Sequence, residues 1–197
     1  MADIARLRIE LDEVRPPVWR RVEVPVDIRL DDLHLVIQAV MGWENAHLYE
    51  FRRGRTVYGY GIPDPEWDIP GSDLLPAEEA RLRDLLGRRA KVFTYVYDFG
   101  DDWRHTVRVE ARTPAAPDTP YPRFLGGEGR CPPEDIGGPW GYAEFLAAIA
   151  DPAHERHDEF LDWCGGAFDP TDIGEAAIRQ ELGKLAGVSP GARTSPR

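Results

Sequence analysis

The chain has 197 residues, and its 24 Lys and Arg against 35 Asp and Glu give a net charge of −11. A balance this acidic disfavours nucleic-acid binding, which depends on clustered positive charge, and a hydrophobic content of 42% argues against a disordered chain. The sequence lacks an apolar run long enough to span a membrane and a signal-peptide core at its start, so we expect a cytoplasmic protein with no membrane partner.

The first sixty residues alternate apolar and polar side chains, change to a helical spacing, and then alternate again. Leu7, Ile9 and Leu11 alternate with charged residues, as expected for a strand with one buried face. From Leu30 the apolar spacing is that of a helix, and Gly42 is a residue type at which helices end. The predicted elements are strands over residues 5–12, 18–24, 48–51 and 56–60, and a helix that begins at Leu30.

The middle of the chain combines regular elements with two proline-containing stretches. We expect a loop over residues 61–73 and a long irregular segment over 113–140, which in a compact domain is more often functional than a mere connector. The predicted elements of this part are a helix over 76–86 and strands over 92–97 and 103–110.

The apolar spacing in the last third of the sequence predicts helices. Tyr142, Phe145, Leu146 and Ile149 have the i, i+3, i+4, i+7 spacing of one helix face. Shorter helices are predicted over 155–163 and 173–185, and residues 186–197 are expected to form a disordered tail after a single domain over 1–185. This order of elements predicts an α+β fold with a largely antiparallel sheet and a helical C-terminal third.

Short motifs along the whole chain carry a family resemblance. They are RPPVWRR at 15–21, LH at 33–34, MGW at 41–43, HL at 47–48, YDFGDDW at 97–103 followed by His105, GEGRCPPEDIGGP at 127–139, GY at 141–142 and FDP at 168–170. In this order they resemble the plasmid pRi open-reading-frame-three-like family, which also bears an insertion-element passenger label. The resemblance covers about residues 5 to 185. It implies an α+β domain associated with plasmids and mobile elements, and it implies no established reaction.

An acidic turn is the strongest candidate for chemistry. Three carboxylates and an imidazole lie within eight residues, and hard divalent cations prefer such oxygen ligands. A metal site or an acid/base pair becomes credible if Glu134 and Asp135 of the long irregular segment, or His47, also come near. Alternatively, the aspartates only cap turn amides and the imidazole packs on a strand face. The candidate metal ligands are Asp98, Asp101, Asp102, His105 and Glu134.

Aromatic and arginine side chains indicate a possible recognition groove, since these residue types often anchor partners. Core packing is the alternative reading for the tryptophans. The candidate groove residues are Trp19, Arg21, Trp43, His47 and Trp103. Local basic runs also occur, at Arg52, Arg53 and Arg55 and across Arg81, Arg83, Arg88, Arg89 and Lys91.

Two functions from different classes follow from these residues. The first is a non-enzymatic binding or accessory module for a protein or peptide, and it is preferred because no catalytic set reaches the strength of a motif. The second is a metal-assisted hydrolase, acting on phosphodiesters, that uses the acidic turn from Asp98 to Asp102 with His105. The sequence leaves open whether the protein is an enzyme and whether it holds a divalent metal.

Overall fold

The computed structural model describes residues 3–59, 73–86 and 91–186, and its main element is an eight-stranded sheet. The strands are β1 (Asp3–Leu11), β2 (Trp19–Pro25), β3 (Tyr49–Arg53), β4 (Thr56–Gly59), β5 (Asp73–Pro76), β6 (Val92–Tyr97), β7 (Trp103–Pro114) and β8 (Arg123–Glu128). Their order is β5-β4-β3-β6-β7-β1-β2-β8, and every pair except β4 with β5 is antiparallel.

Five helices complete the described part of the chain. They are α1 (Leu30–Met41), α2 (Leu82–Leu86), α3 (Gly138–Ala150), α4 (His157–Trp163) and α5 (Glu175–Ala186). α5 contacts α1 and β8, and α3 contacts α4. The predicted α+β class, with a largely antiparallel sheet and helices in the C-terminal third, is therefore confirmed. Among the described helices, none has both the length and the apolar content needed to cross a bilayer.

The alternation of apolar and charged residues in the first two strands corresponds to the two faces of the sheet. β1 and β2 form the expected antiparallel hairpin, in which Leu7 lies opposite Val22, and both side chains are fully buried. Charged residues on the outer face form ion pairs, such as Arg21 with Glu110 of β7, whereas Arg20 lies on the inner face and is buried. The inner face then packs against α1, whose Leu33 and Ile37 are also fully buried.

The structure differs from the sequence expectations in the proline-containing stretches. The helix predicted over 76–86 begins only at Leu82, because Pro76 belongs to β5 and residues 77–79 form a turn. β5 and β8 were both missed, because β8 lies within the segment expected to be irregular and β5 lies where the predicted loop over 61–73 gives way to the predicted helix over 76–86. Most of the predicted loop, residues 60–72, and the predicted tail beyond residue 186 lie outside the described residues.

The glycines of β8 explain why the sequence did not predict this strand. A Cβ atom at Gly127 would lie 2.8 Å from the Trp19 carbonyl oxygen and 2.8 Å from Arg20 Cδ, so only glycine lets β8 approach β2 this closely. Two adjacent glycines, Gly126 and Gly127, also interrupt any apolar alternation along the strand. The same close approach brings the carbonyl oxygens of Glu128 and Gly129 to the buried Arg20 guanidinium, at 3.0 and 2.9 Å.

Candidate metal centre

The loop between α1 and β3 carries His47, and a buried polar network fixes that loop. α1 ends at Gly42, which has a left-handed backbone with φ of 86°. The next turn is held by Asn45, whose backbone N–H donates to Gln38 Oε1 at 2.9 Å and whose Oδ1 lies 2.6 Å from His34 Nε2. Tyr95 closes the network, because its hydroxyl lies 2.7 Å from His34 Nδ1 and 3.1 Å from Gln38 Nε2.

Burial decides the protonation of this network. Loss of hydration lowers the pKa of His34 to about 4, so its ring is neutral at neutral pH. A neutral ring with its proton on Nε2 donates to Asn45 Oδ1 and accepts from the Tyr95 hydroxyl at Nδ1. The ring also stacks on Tyr49 at a centroid distance of 3.6 Å. His34 is therefore a structural support for the loop that carries His47.

Asp98 enters the site at the start of the turn between β6 and β7. Its φ is 56°, and its backbone N–H donates to the Leu48 carbonyl at 2.9 Å. Oδ1 accepts from the N–H groups of Gly100 and Asp101, at 2.9 and 3.4 Å. These bonds orient the carboxylate so that Oδ2 lies 3.6 Å from His47 Nε2.

The irregular segment after β8 supplies two more carboxylates. Glu134 Oε1 accepts from the Tyr97 hydroxyl at 3.0 Å and from the Glu44 backbone N–H at 2.9 Å. Its other oxygen, Oε2, is buried without a hydrogen-bond partner and lies 3.9 Å from His47 Nε2. Asp135 Oδ1 lies 3.0 Å from the same nitrogen, and the Asp135 side chain is 72% exposed.

Tyr97 has a fixed role in this arrangement. Burial first, and the neighbouring Glu134 carboxylate second, raise the pKa of Tyr97 well above its ordinary value, so the hydroxyl keeps its proton. That proton is donated to Glu134, and the hydroxyl oxygen accepts from the backbone N–H groups of Ala46 and His47, at 3.0 and 3.3 Å. The Tyr97 side chain thus binds both the loop that carries His47 and the segment that carries Glu134.

Two further contacts hold the segment that carries Glu134 and Asp135. The Trp43 indole N–H donates to the Pro132 carbonyl at 3.0 Å, just before the two acids. Asp101 Oδ2 accepts from the Gly137 N–H at 3.0 Å, just after them. One end of this short segment is therefore hydrogen-bonded to the loop that carries His47, and the other end to the turn that carries Asp98.

The cluster has the spacing of ligands around one cation. One ligand atom from each of His47, Asp98 and Asp135 lies within 4.8 Å of the others. Two ligands bound at about 2.1 Å to one cation are separated by about 3.0 to 3.4 Å, and the observed distances from His47 Nε2 begin at 3.0 Å. Nε2 has no hydrogen-bond partner although Asp135 Oδ1 is this near, which places the oxygen off the N–H axis. A cation held on that axis would leave the oxygen in such an off-axis position.

The structure brings together two of the five residues that the sequence named as metal candidates. Asp98 belongs to the cluster, and Glu134 lies beside it with Oε2 3.9 Å from His47 Nε2. Asp101 is bound to Gly137, and Asp102 is paired with Arg104 at 2.8 Å, so neither carboxylate faces His47. His105 is fully buried, and its Nδ1 lies 3.0 Å from the Trp103 carbonyl.

The five candidate groove residues do not line one surface. Trp43 and Trp103 are 7% and 0% exposed, and their rings lie 6.0 Å apart in the core. Trp19 lies on the outer face of the sheet, with the Arg21 guanidinium 5.1 Å from its ring centre. His47 lies at the carboxylate cluster. Core packing, which the sequence left open, describes two of the three tryptophans.

Asp135 and His47 were not among the five metal candidates, and His47 was named as a groove residue. The sequence made the metal site conditional on their approach to the acidic turn, and that approach depends on strand pairing and loop packing. The available signal was weak: Asp135 follows Glu134 directly, and His47 is one of only five histidines.

Exposed apolar side chains follow the cluster residues along the chain. Leu48, next to His47, is 57% exposed, and Phe99, next to Asp98, is 42% exposed. Trp140, in the first turn of α3, is 87% exposed. The backbone of Gly138, at the start of α3, packs closely against the acidic turn. A Cβ atom at this residue would lie 2.6 Å from the Asp101 carbonyl oxygen.

Comparisons with known proteins agree with the motifs. The sequence pattern of the family described as plasmid pRiA4b ORF-3-like protein matches residues 3–176. The uncharacterized protein y4hQ of Sinorhizobium fredii (strain NBRC 101917 / NGR234) is 52% identical over 188 residues, which cover 94% of this chain and 94% of that protein.

A solved structure has the same architecture. The crystal structure of MM3350 from Methanosarcina mazei Go1, a protein of unknown function, matches with a TM-score of 0.80 and 33% sequence identity. The match covers 89% of this chain and 97% of that one. The chain therefore belongs to the plasmid pRiA4b ORF-3-like family.

Proposed function

We propose that this protein is a non-enzymatic binding module whose site is a divalent-cation centre formed by His47, Asp98 and Asp135, with Glu134 as a fourth donor. The observation that carries the proposal is the convergence of ligand atoms from three separate segments on a His47 Nε2 atom that has no hydrogen-bond partner. Hydrogen bonds to Tyr97 and Gly100 fix the carboxylates of Glu134 and Asp98 in advance, so little ordering opposes binding.

The donor set favours particular cations. One imidazole nitrogen with carboxylate oxygens suits Mn²⁺ and Zn²⁺ better than Ca²⁺, which takes six to eight oxygen ligands. Asp135 is exposed, so a bound cation keeps a side open to a further ligand. We expect Mn²⁺ or Zn²⁺ to bind with one equivalent per chain.

The partner that we propose is a protein or peptide. Leu48, Phe99 and Trp140 are large apolar side chains exposed to solvent near the cluster residues in sequence, and apolar residues that lie together on a surface are typical of protein contacts. A carboxylate from the partner would complete the coordination of the cation, while its apolar side chains would contact these three residues.

The first experiment is a calorimetric titration of the purified protein with Mn²⁺, Zn²⁺, Mg²⁺ and Ca²⁺. The test variant is Asp98→Asn with Asp135→Asn, and the matched control is Asp102→Asn with Asp118→Asn. All four aspartates have φ between 53° and 57°, a conformation that Asn also adopts, so each pair changes charge without straining the backbone. We expect the test pair to weaken Mn²⁺ binding at least about 100-fold and the control pair to leave it within about threefold.

Each alternative has a defined outcome. Equal binding by the two double variants would contradict the ligand assignment. Hydrolysis of bis(p-nitrophenyl) phosphate by the Mn²⁺-loaded protein, lost in the Asp98/Asp135 pair and retained in the control pair, would overturn the non-enzymatic part in favour of the hydrolase. The open side of the cation is the feature that such an enzyme would use.

The partner is tested separately by selecting displayed random peptides on the Mn²⁺-loaded protein. We expect enriched peptides to combine an acidic residue with apolar residues, and to lose binding in EDTA and in Trp140→Ala. Enriched peptides that bind equally well in EDTA and to Trp140→Ala would contradict this partner.

A further inference from the structure

Arginines from two basic runs that are separate in the sequence lie at the other end of β3 from His47. β3 ends at Arg53, where a two-residue turn containing Gly54 leads into β4. The Arg53 guanidinium Nη1 donates to the carbonyl of Asp84 in α2 at 3.2 Å. Arg81 directly precedes α2, and Arg83 lies within it. The hairpin tip and α2 therefore bring arginines of both runs into one region.

A cleft opens between the hairpin and α2. Its volume is about 430 Å³, and it is lined by Arg53, Gly54, Thr56, Tyr58 and Asp84. This size lies within the range of sites for small ligands, which is about 300 to 1,000 Å³. The cleft is independent of the cation centre, because the two share no residue.

The positive charge at this cleft is only partly neutralised. Arg53 and Arg81 direct their guanidinium hydrogen bonds to carbonyl oxygens, those of Asp84 and Asp27, and not to carboxylates. The Asp84 carboxylate accepts from the Arg81 backbone N–H at 2.8 Å and lies 4.0 Å from Arg83 Nε. The Asp84 carboxylate therefore has partners on its own segment, and it also contributes a negative charge to the lining of the cleft.

Two hydroxyl groups complete the lining. Thr56 and Tyr58 are both partly buried, and each contributes a hydroxyl group to the lining. Burial raises the pKa of Tyr58, so this hydroxyl keeps its proton and remains a donor. The cleft thus combines a guanidinium with two hydroxyl groups.

We propose that this cleft binds the phosphate group of a small phosphorylated ligand. A guanidinium presents paired N–H donors that match phosphate oxygens, and hydroxyl donors add to this recognition. The net charge of −11 repels a long polyanion, so a ligand with one phosphate group is favoured over a nucleic acid.

The test is a calorimetric titration with inorganic phosphate, adenosine monophosphate and adenosine, in buffer free of divalent cations. We expect phosphate and the monophosphate to bind with one equivalent and adenosine not to bind. Arg53→Gln and Tyr58→Phe should weaken phosphate binding, by about tenfold for the first and less for the second. Asp84→Asn should strengthen it several-fold, because a negative charge in the cleft is removed. The matched control is Arg112→Gln, on the exposed end of β7, which should change nothing.

Several results would overturn the proposal. These are no phosphate binding by the wild-type protein, equal binding by Arg53→Gln and Arg112→Gln, or binding of a single-stranded RNA oligonucleotide without binding of the monophosphate. Melting temperatures of all variants separate a lost contact from a lost fold, and Tyr58→Phe removes only one oxygen atom. Retained phosphate binding in both Arg53→Gln and Tyr58→Phe would exclude this cleft.

Discussion

Two histidines of this protein each have a buried Nε2 atom without a hydrogen-bond partner, and their surroundings are opposite. His105 lies in the core, where the rings of Trp43 and Tyr95 approach to 5.3 and 5.2 Å. His47 lies among carboxylates at the edge of the cation centre, with Asp135 Oδ1 at 3.0 Å. An unpartnered nitrogen indicates a ligand only where charged groups from separate segments converge on it and solvent can enter.

The energetic consequences of the two sites also differ. Burial lowers the pKa of His105 to about 3, so the core accepts only the neutral ring. At the proposed cation centre, a bound cation would add stability that rises with the logarithm of its concentration above the dissociation constant. The first site therefore responds to pH through stability, and the second responds to cations through binding.

The largest expected effect is the loss of stability in acid. The pKa values of His34 and His105 in the folded protein, about 4 and about 3, lie below the ordinary value of 6.5. Between these limits the unfolded chain binds more protons, so the free energy of unfolding falls as pH falls from about 6.5 toward 4. Each histidine should contribute a loss of about 3 kcal/mol by pH 4. Urea unfolding of the cation-free protein at several pH values measures this loss.

The variant His105→Leu separates the two contributions. It removes one titrating group and keeps an apolar side chain in the core, so about half of the acid-induced loss should disappear. An unchanged pH profile in this variant would show that His105 does not control acid stability.

The next largest effect is a contrast between variants of the two histidines, one of which should change Mn²⁺ affinity and the other stability. His47→Ala should weaken Mn²⁺ binding at least about 100-fold and change the cation-free unfolding free energy by less than about 1 kcal/mol. His105→Leu should leave Mn²⁺ binding within about threefold. Calorimetry and urea unfolding on both variants provide the measurement, and the comparison fails if His105→Leu lowers Mn²⁺ affinity as strongly as His47→Ala in a folded protein.

A smaller effect is expected at Tyr97, which touches the centre without being a ligand. Tyr97→Phe removes the hydroxyl that holds Glu134, Ala46 and His47, so Mn²⁺ affinity should fall about tenfold. The variant Tyr95→Phe is a useful companion, because it perturbs the same loop through His34 and leaves Glu134 bound to Tyr97. If Tyr97→Phe has no effect on Mn²⁺ affinity, Glu134 does not need this support.

The smallest effect is expected for Asp101→Asn. The amide oxygen of Asn can still accept from the Gly137 N–H, so Mn²⁺ affinity should stay within about twofold. A 100-fold loss would instead make the Asp101 carboxylate a ligand, as the sequence motif suggests, and would contradict the position of this side chain in the structure.

The sequence predicted the fold class because most strands have one buried face. β1, β2, β6 and β7 each show the alternation that a half-buried strand requires. β8 has no such pattern, because its approach to β2 requires Gly127, which has no side chain to alternate. Close backbone packing is a tertiary requirement, and it is invisible to a rule that reads side-chain periodicity.

The sequence predicted less of the candidate site than of the fold. Local spacing singled out the turn from Asp98 to Asp102, and one of its three aspartates points at His47 in the structure. The other two bind the Gly137 N–H and the Arg104 guanidinium, and sequence spacing alone does not show which aspartate makes which contact. His47 and Asp135 come from segments 51 and 37 residues away from Asp98 in sequence, measured by their residue numbers, so their convergence depends on the whole sheet.

The position of β1 has a consequence for the order in which the chain is made. β1 is synthesised first, yet it lies inside the sheet and pairs with β7 as far as Pro114, so its second neighbour emerges from the ribosome about a hundred residues later. Asp135, the last of the proposed cation ligands, follows only after β7 and β8. A nascent chain that ends before this residue has every strand of the sheet but lacks one proposed ligand, so cation binding should begin only after the last strand has been made.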